Sequence, residues 1–155
     1  MKKISSIITL IILTAAISCA QTDANKTISD LGAKLRSGEI TVSNILADKN
    51  YMALHSLSPF RELIRSNAKS HEVTIVTPSE PGQKITVTGT LVDKDGQPLS
   101  TVLMYFYHTN DKGLYGENDD GDSRAARLFG YLRTNEKGEF KINTIKPRGY
   151  PGSEA

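Results

Sequence analysis

The feature that most constrains this chain is a change of period at His71. From there to Ile145, apolar and polar residues alternate in "HEVTIVT" (71–77), "KITVTGTLVD" (84–93), "TVLMYFYHT" (101–109), "RLFGYLRT" (127–134) and "GEFKINTI" (138–145). A period of two sends successive side chains to opposite faces, and the Val, Ile and Thr content suits pleated, half-buried strands. Between them lie "PSEPGQ", "DKDGQPL", "NDKG" and "NEKG", whose Gly, Pro, Asp and Asn are turn residues. No helical pattern separates the five strands. The expected fold is mainly β: an antiparallel β-sandwich (71–155) behind a short N-terminal helical region, its last strands missing. The pattern shows no internal repeat and no low-complexity segment.

Upstream, 28–69 is weakly helical. Ile28, Leu31 and Leu35, then Val42, Ile45 and Leu46, recur near helical spacing. A further helix is expected from Ser58, with Pro59 at its first position and Phe60, Leu63 and Ile64 on one face. Residues 21–27, "QTDANKT", are polar and unpatterned and have the composition of a tether. The first twenty residues stand apart from the fold. Lys2 and Lys3 precede "IITLIILTAAI" (7–17), too short for a bilayer span and of signal-peptide length. The single cysteine, Cys19, follows in "AAISCAQ", which resembles a bacterial lipobox with Ala16 in place of the preferred Leu; ordinary cleavage after Ala20 is the alternative. Both readings imply export, to the periplasm or to a lipid anchor on the cell envelope, without a disulfide.

Two of the 19 Lys and Arg fall in the leader, leaving 17 against 17 Asp and Glu, so the exported chain is neutral. With no basic stripe and no aromatic interleaving, nucleic acid is not an expected partner. The acidic "ENDDGD" places Asp119, Asp120 and Asp122 around Gly121, but lacks the alternating oxygen donors and closing Glu of a calcium loop. It is read as a solvated excursion. His55, His71 and His108 form no i,i+2 or i,i+4 pair and have no Cys beside them, so they make no metal site of their own. His55 and His71 are expected in surface or packing places, and His108, ending a strand near aromatic residues, is a candidate supporting group. No nucleophile elbow, phosphate loop or dinucleotide fingerprint is present. Among the tyrosines, Tyr105 and Tyr107 alternate along a strand, as sheet-face packing requires. Tyr115 in "KGLYG" and Tyr150 in "PRGYPG" differ: both are held by Gly or Pro at strand ends, where loops carry function.

"KITVTGTLVDKDGQPLSTVLMYFYHTNDKGLYG" followed by "LFGYLRTNEKGEFKINTIKPRGYPG" resembles the intradiol ring-cleavage dioxygenases, the catechol and protocatechuate 3,4-dioxygenase group, in a secreted branch. The resemblance covers residues 72–152. It implies a β-sandwich holding a non-haem Fe(III) through two tyrosines and two histidines. It also implies a catecholic substrate that chelates the iron, and cleavage by O2 between the two hydroxyl-bearing carbons. By the Gly-x-Tyr and Tyr-Pro motifs, the metal ligands are Tyr115 and Tyr150, and Tyr150 is the catalytic ligand that substrate displaces. Two anionic phenolates suit a ferric ion, because a bound cation strips the proton from a phenol whose ordinary pKa is near 10. The family's His-x-His motif lies downstream of Tyr-Pro. Counting on from Tyr150 passes Ala155, and none of His55, His71 or His108 matches. The expectation is a fragment with half of a ferric site, which alone holds no stable ferric ion and cleaves no ring. Lys146 and Arg148 lie near enough in sequence to meet an anionic substrate, but read first as solvated charge. "ITVTGTLVDKDGQPLSTV" with "LRTNEKGEFKI" also resembles the carboxypeptidase regulatory-like β-sandwich, a binding module that has no need of the two tyrosine motifs.

Overall fold

The computed structural model describes residues 22–116, 123 and 126–152. The leader with Cys19 and the acidic Asp119, Asp120 and Asp122 lie outside the described residues. Helix α1 runs over 22–37, followed by α2 (Val42–Leu46), a 3-10 turn (Lys49–Leu54) and α3 (Ser58–Ser66). Then come β1 (Glu72–Thr74), β2 (Lys84–Thr90), β3 (Leu103–His108), β4 (Leu128–Arg133) and β5 (Glu139–Ile145). All five expected strands form.

The helical region corrects the sequence reading in two places. Residues 22–27, expected as a tether, are the first turns of α1. Once Leu31 is buried, each residue added upstream gains a backbone hydrogen bond without a new nucleation cost, so even a polar segment extends the helix. Pro59 takes the second helical position, because Leu57 is the N-cap of α3. Helix α2 is closed by a capping box: Thr41 Oγ1 accepts the Asn44 N–H at 3.1 Å, and the Thr41 N–H donates to Asn44 Oδ1 at 2.9 Å.

The strands form two layers, a sheet ordered β1-β5-β2 and a β3-β4 pair. All pairings are antiparallel except β1 with β5, which is parallel, so the first sheet is mixed and not purely antiparallel as expected. The cause is connectivity. Strand β1 is reached from a helix and not from a hairpin, so no tight turn imposes its direction, and β5 inserts between β1 and β2. Val73, Ile142 and Val87 share a register row on one face of this sheet, while Met104 pairs Leu132 and Phe106 pairs Gly130 on the other layer. At Gly130 a Cβ would lie 2.6 Å from the Phe106 ring, so only glycine lets that ring lie across β4. Leu31, Ile45, Leu46, Phe60 and Ile64 join Val73, Leu128, Phe129, Leu132 and Ile142 in a single buried cluster. The helices are therefore part of the sandwich core.

One turn occurs three times, at Asp93–Gln97, Asn110–Leu114 and Asn135–Glu139. In each, the first side-chain oxygen accepts the N–H of the third and fifth residues at 2.9–3.1 Å. The first N–H donates to the fifth C=O, and a glycine at the fourth place, with φ of 78°, 82° or 74°, returns its N–H to the first C=O. "DKDGQ", "NDKGL" and "NEKGE" are thus a local repeat that alternation alone does not reveal.

The β1–β2 loop is stapled across the sandwich by Glu80, which takes a bidentate ion pair from Arg127 at the start of β4. Only 3% of the Glu80 side chain and 13% of the Arg127 side chain is exposed, so removing one partner strands a desolvated charge. Glu80→Ala is expected to cost about 3 kcal/mol in urea unfolding, several times the effect of breaking the exposed Lys94–Asp95 pair.

Candidate active site

Tyr115 and Tyr150 lie 35 residues apart in sequence, and the fold brings their hydroxyl oxygens to 2.6 Å, with ring centroids 5.9 Å apart. Each arrives from a strand end. Strand β3 closes at His108 and the Asn110–Leu114 turn delivers Tyr115; β5 closes at Ile145 and the following segment doubles back to Tyr150. Gly113 sits where the two segments touch: at φ +82°, a Cβ there would lie 2.2 Å from the Gly149 carbonyl oxygen, so a side chain is excluded.

The two tyrosines differ in exposure. The Tyr115 C=O accepts the Arg127 N–H at 2.8 Å, and its ring lies 5.7 Å from that of Tyr107. Tyr150 is 57% exposed and lies between Gly149 and Pro151. The hydrogen bond to Tyr150, and then partial burial, push the Tyr115 phenol up to about 12. Tyr105 and Tyr107 extend the pair into a row on the outer face of β3, with Tyr131 behind Tyr105 at 4.8 Å. The expected sheet-face packing holds, but both rings remain about two-fifths exposed, at 42% and 41%.

The helices reach this row through side chains that the sequence reading did not single out. Arg61 donates to Tyr105 Oη at 2.9 Å and to the carbonyls of His55 and Ala126 at 2.9 and 3.1 Å, with its guanidinium carbon 3.8 Å from the Phe129 ring centroid. His55, only 3% exposed, stacks on Phe60 and points Nδ1 at the Arg127 carbonyl 2.9 Å away. A carbonyl only accepts, so Nδ1 carries a proton, and burial disfavours the charged form of the ring. Together, Arg61 and His55 clamp residues 126–127, whose N–H in turn holds Tyr115.

None of the three histidines touches the tyrosine pair. His55 is a packing residue and His71 is exposed, as expected. His108 turns into the sandwich: Nδ1–H donates to the Thr109 C=O at 2.7 Å, and Nε2 accepts from Thr144 Oγ1 at 2.6 Å. Its support for the site is indirect, through Thr109. Among the described residues, no group of three or more His, Cys, Asp or Glu side chains converges as a metal site. Lys146 and Arg148 are exposed.

The family model described as "Dioxygenase" matches residues 59–155. The chain belongs to the intradiol ring-cleavage dioxygenase family. Within that family it is 35% identical over 74 residues to the catechol 1,2-dioxygenase of Acinetobacter baylyi, a match covering 46% of this chain and 24% of that protein. To the protocatechuate 3,4-dioxygenase beta chain of Burkholderia cepacia it is 33% identical over 88 residues, covering 52% and 37%. The crystal structure of catechol 1,2-dioxygenase from Pseudomonas arvilla C-1 superposes with a TM-score of 0.47 at 26% identity, over 56% of this chain and 28% of that one. The chain spans about a quarter of the length of the curated catechol dioxygenases it matches.

Two solution measurements follow from these geometries. Tyr150→Phe removes the hydroxyl that raises Tyr115, so its pKa should return toward 10 when read by NMR of ring-labelled tyrosine. Burial lowers the His55 pKa below its ordinary value near 6.5, so the unfolded chain binds that proton more tightly. Stability should therefore fall as pH drops below about 6.5. His55→Phe should flatten that slope in urea titrations between pH 7 and 5, at a cost of about 1 kcal/mol at pH 7 for the lost hydrogen bond.

Proposed function

We propose that this chain carries the two-tyrosine half of a non-haem Fe(III) site in an exported intradiol dioxygenase acting on catecholic compounds with O2. The observation that carries this reading is the 2.6 Å approach of Tyr115 and Tyr150, each from the motif whose resemblance assigns it a ligand role. Adjacent oxygens around a small octahedral cation with bonds of 2.0–2.1 Å are roughly 2.9 Å apart, close to the phenol separation here. Phenolates are hard, anionic donors of the kind a ferric ion favours, so the pair fits that cation. When bound, Fe(III) supplies a Lewis-acid centre at which a catechol is deprotonated and made reactive toward O2. Two histidines would complete the family's ligand set.

The different exposure of the two rings favours different roles. Tyr115, tied to Arg127 and packed on Tyr107, is suited to remain a ligand throughout. Tyr150, more than half exposed, is suited to yield its place to a substrate oxygen, and its phenolate would then be a base for one catechol proton. Export, with Cys19 as a lipid anchor, completes the proposal; the leader pattern supports it. The carboxypeptidase regulatory-like alternative leaves the tyrosine pair without a purpose.

The test uses the chain itself. Fe(III) added as its nitrilotriacetate complex, which fills the other coordination positions, should give a visible phenolate-to-iron charge-transfer band. Tyr115→Phe and Tyr150→Phe should each weaken it, and the double variant should abolish it. A band of equal strength in all variants, or none in the parent chain, would contradict the ligand assignment.

A further inference from the structure

Thr109 and Asn110 touch both tyrosine-bearing segments at once. Asn110 is 7% exposed. Its side-chain oxygen accepts the N–H of Lys112 and Leu114, and its side-chain nitrogen donates to the Gly116 C=O at 3.3 Å, beyond Tyr115. One buried carboxamide thus closes the loop on both sides of that tyrosine. The adjoining backbone reaches the other segment. The Arg148 N–H donates to the Asn110 C=O at 3.4 Å, and Thr109 Oγ1 donates to the Arg148 C=O at 2.7 Å. Arg148 is gripped at both its N–H and its C=O, two residues before Tyr150. His108 Nδ1–H fixes the Thr109 C=O from within the sandwich.

The chain contains a second copy of this unit with no tyrosine to place. In "TNEKG", Thr134 Oγ1 donates to the Leu99 C=O at 2.6 Å, as Thr109 does to Arg148, and Asn135 builds the same turn. The side-chain nitrogen of Asn135 donates only to the exposed Glu139 carboxylate. One chemical unit is therefore used twice: once to latch the 91–99 segment to β4, and once to latch one tyrosine segment to the other.

We infer that Thr109-Asn110 is the positioning element of the tyrosine pair, fixing the gap between the two phenol oxygens in advance of any ligand. The consequence for metal binding rests on the proposed ligand role; the positioning itself does not. Donors on loops hold a productive separation only where supporting hydrogen bonds lock them, and these residues supply that lock.

The test is carried out on the metal-free chain with ring-labelled tyrosine. The nuclear Overhauser cross-peak between the Tyr115 and Tyr150 rings is measured together with the urea midpoint. Asn110→Ala and Thr109→Val should each lose the cross-peak. Asn110→Asp keeps the turn acceptor, as Asp93 does, but has no donor for the Gly116 C=O, so it should weaken the cross-peak less than Asn110→Ala does. Asn135→Ala should keep it while lowering the urea midpoint about as far as Asn110→Ala does. Should Asn110→Ala fail to fold, Thr109→Val and Asn135→Ala still decide the question. A cross-peak that survives both Asn110→Ala and Thr109→Val, or one that vanishes in Asn135→Ala, would overturn the inference. If the cross-peaks behave as expected but the parent chain gives no charge-transfer band with the ferric complex, the positioning stands and the ligand assignment fails.

Discussion

The carbonyl oxygen of Gly149 occupies the place where a side chain on residue 113 would begin, and the geometry of the site depends on that contact. The two loops come from opposite sheets of the sandwich, and their backbones are in close contact beside the converging phenols. Glycine at residue 113 permits the approach, and its left-handed φ is the conformation the Asn110–Leu114 turn requires. Packing and turn chemistry thus demand the same residue. Such agreement between local and global requirements is what makes one arrangement dominate over its competitors.

Support for the pair spreads outward from this contact in two directions. Through Asn110, Thr109 and His108 it reaches the interior of the sandwich, where Thr144 on β5 closes the chain of hydrogen bonds. Through Arg127 it reaches the helices, because His55 and Arg61 hold the carbonyls of residues 126 and 127 while Glu80 holds the guanidinium. The helical region 28–69 contributes both to the core and to the placement of Tyr115. The exposed ring of Tyr150 stands at the end of this network.

Much of the architecture was legible in the residue pattern, for identifiable reasons. Period-two alternation marked all five strands, although burial follows it unevenly: β2 has no buried residue and β4 buries residues on both faces. The two site tyrosines were legible because glycine and proline around them announce shaped loops. Three things were hidden. The parallel pairing of β1 with β5 depends on which strand slides between which others, a non-local choice that no local period records. The extension of α1 into residues 22–27 follows from burial further along the helix. The roles of Arg61, Arg127 and Asn110 arise from contacts to backbone carbonyls and amides, which leave no compositional trace. Only for Asn110 was there a signal, since "TNDKG" and "TNEKG" repeat within the chain, and a search for repeated turns would have found it.

The central claim is that Tyr115 and Tyr150 form a preassembled pair that shares one ferric ion. The most direct measurement is an anomalous difference map, recorded at the iron absorption edge, from crystals of the chain soaked with the ferric nitrilotriacetate complex. The account predicts one strong peak within bonding distance of both phenol oxygens. A peak bound to only one of them, or seated elsewhere with the 2.6 Å phenol contact intact, would contradict it.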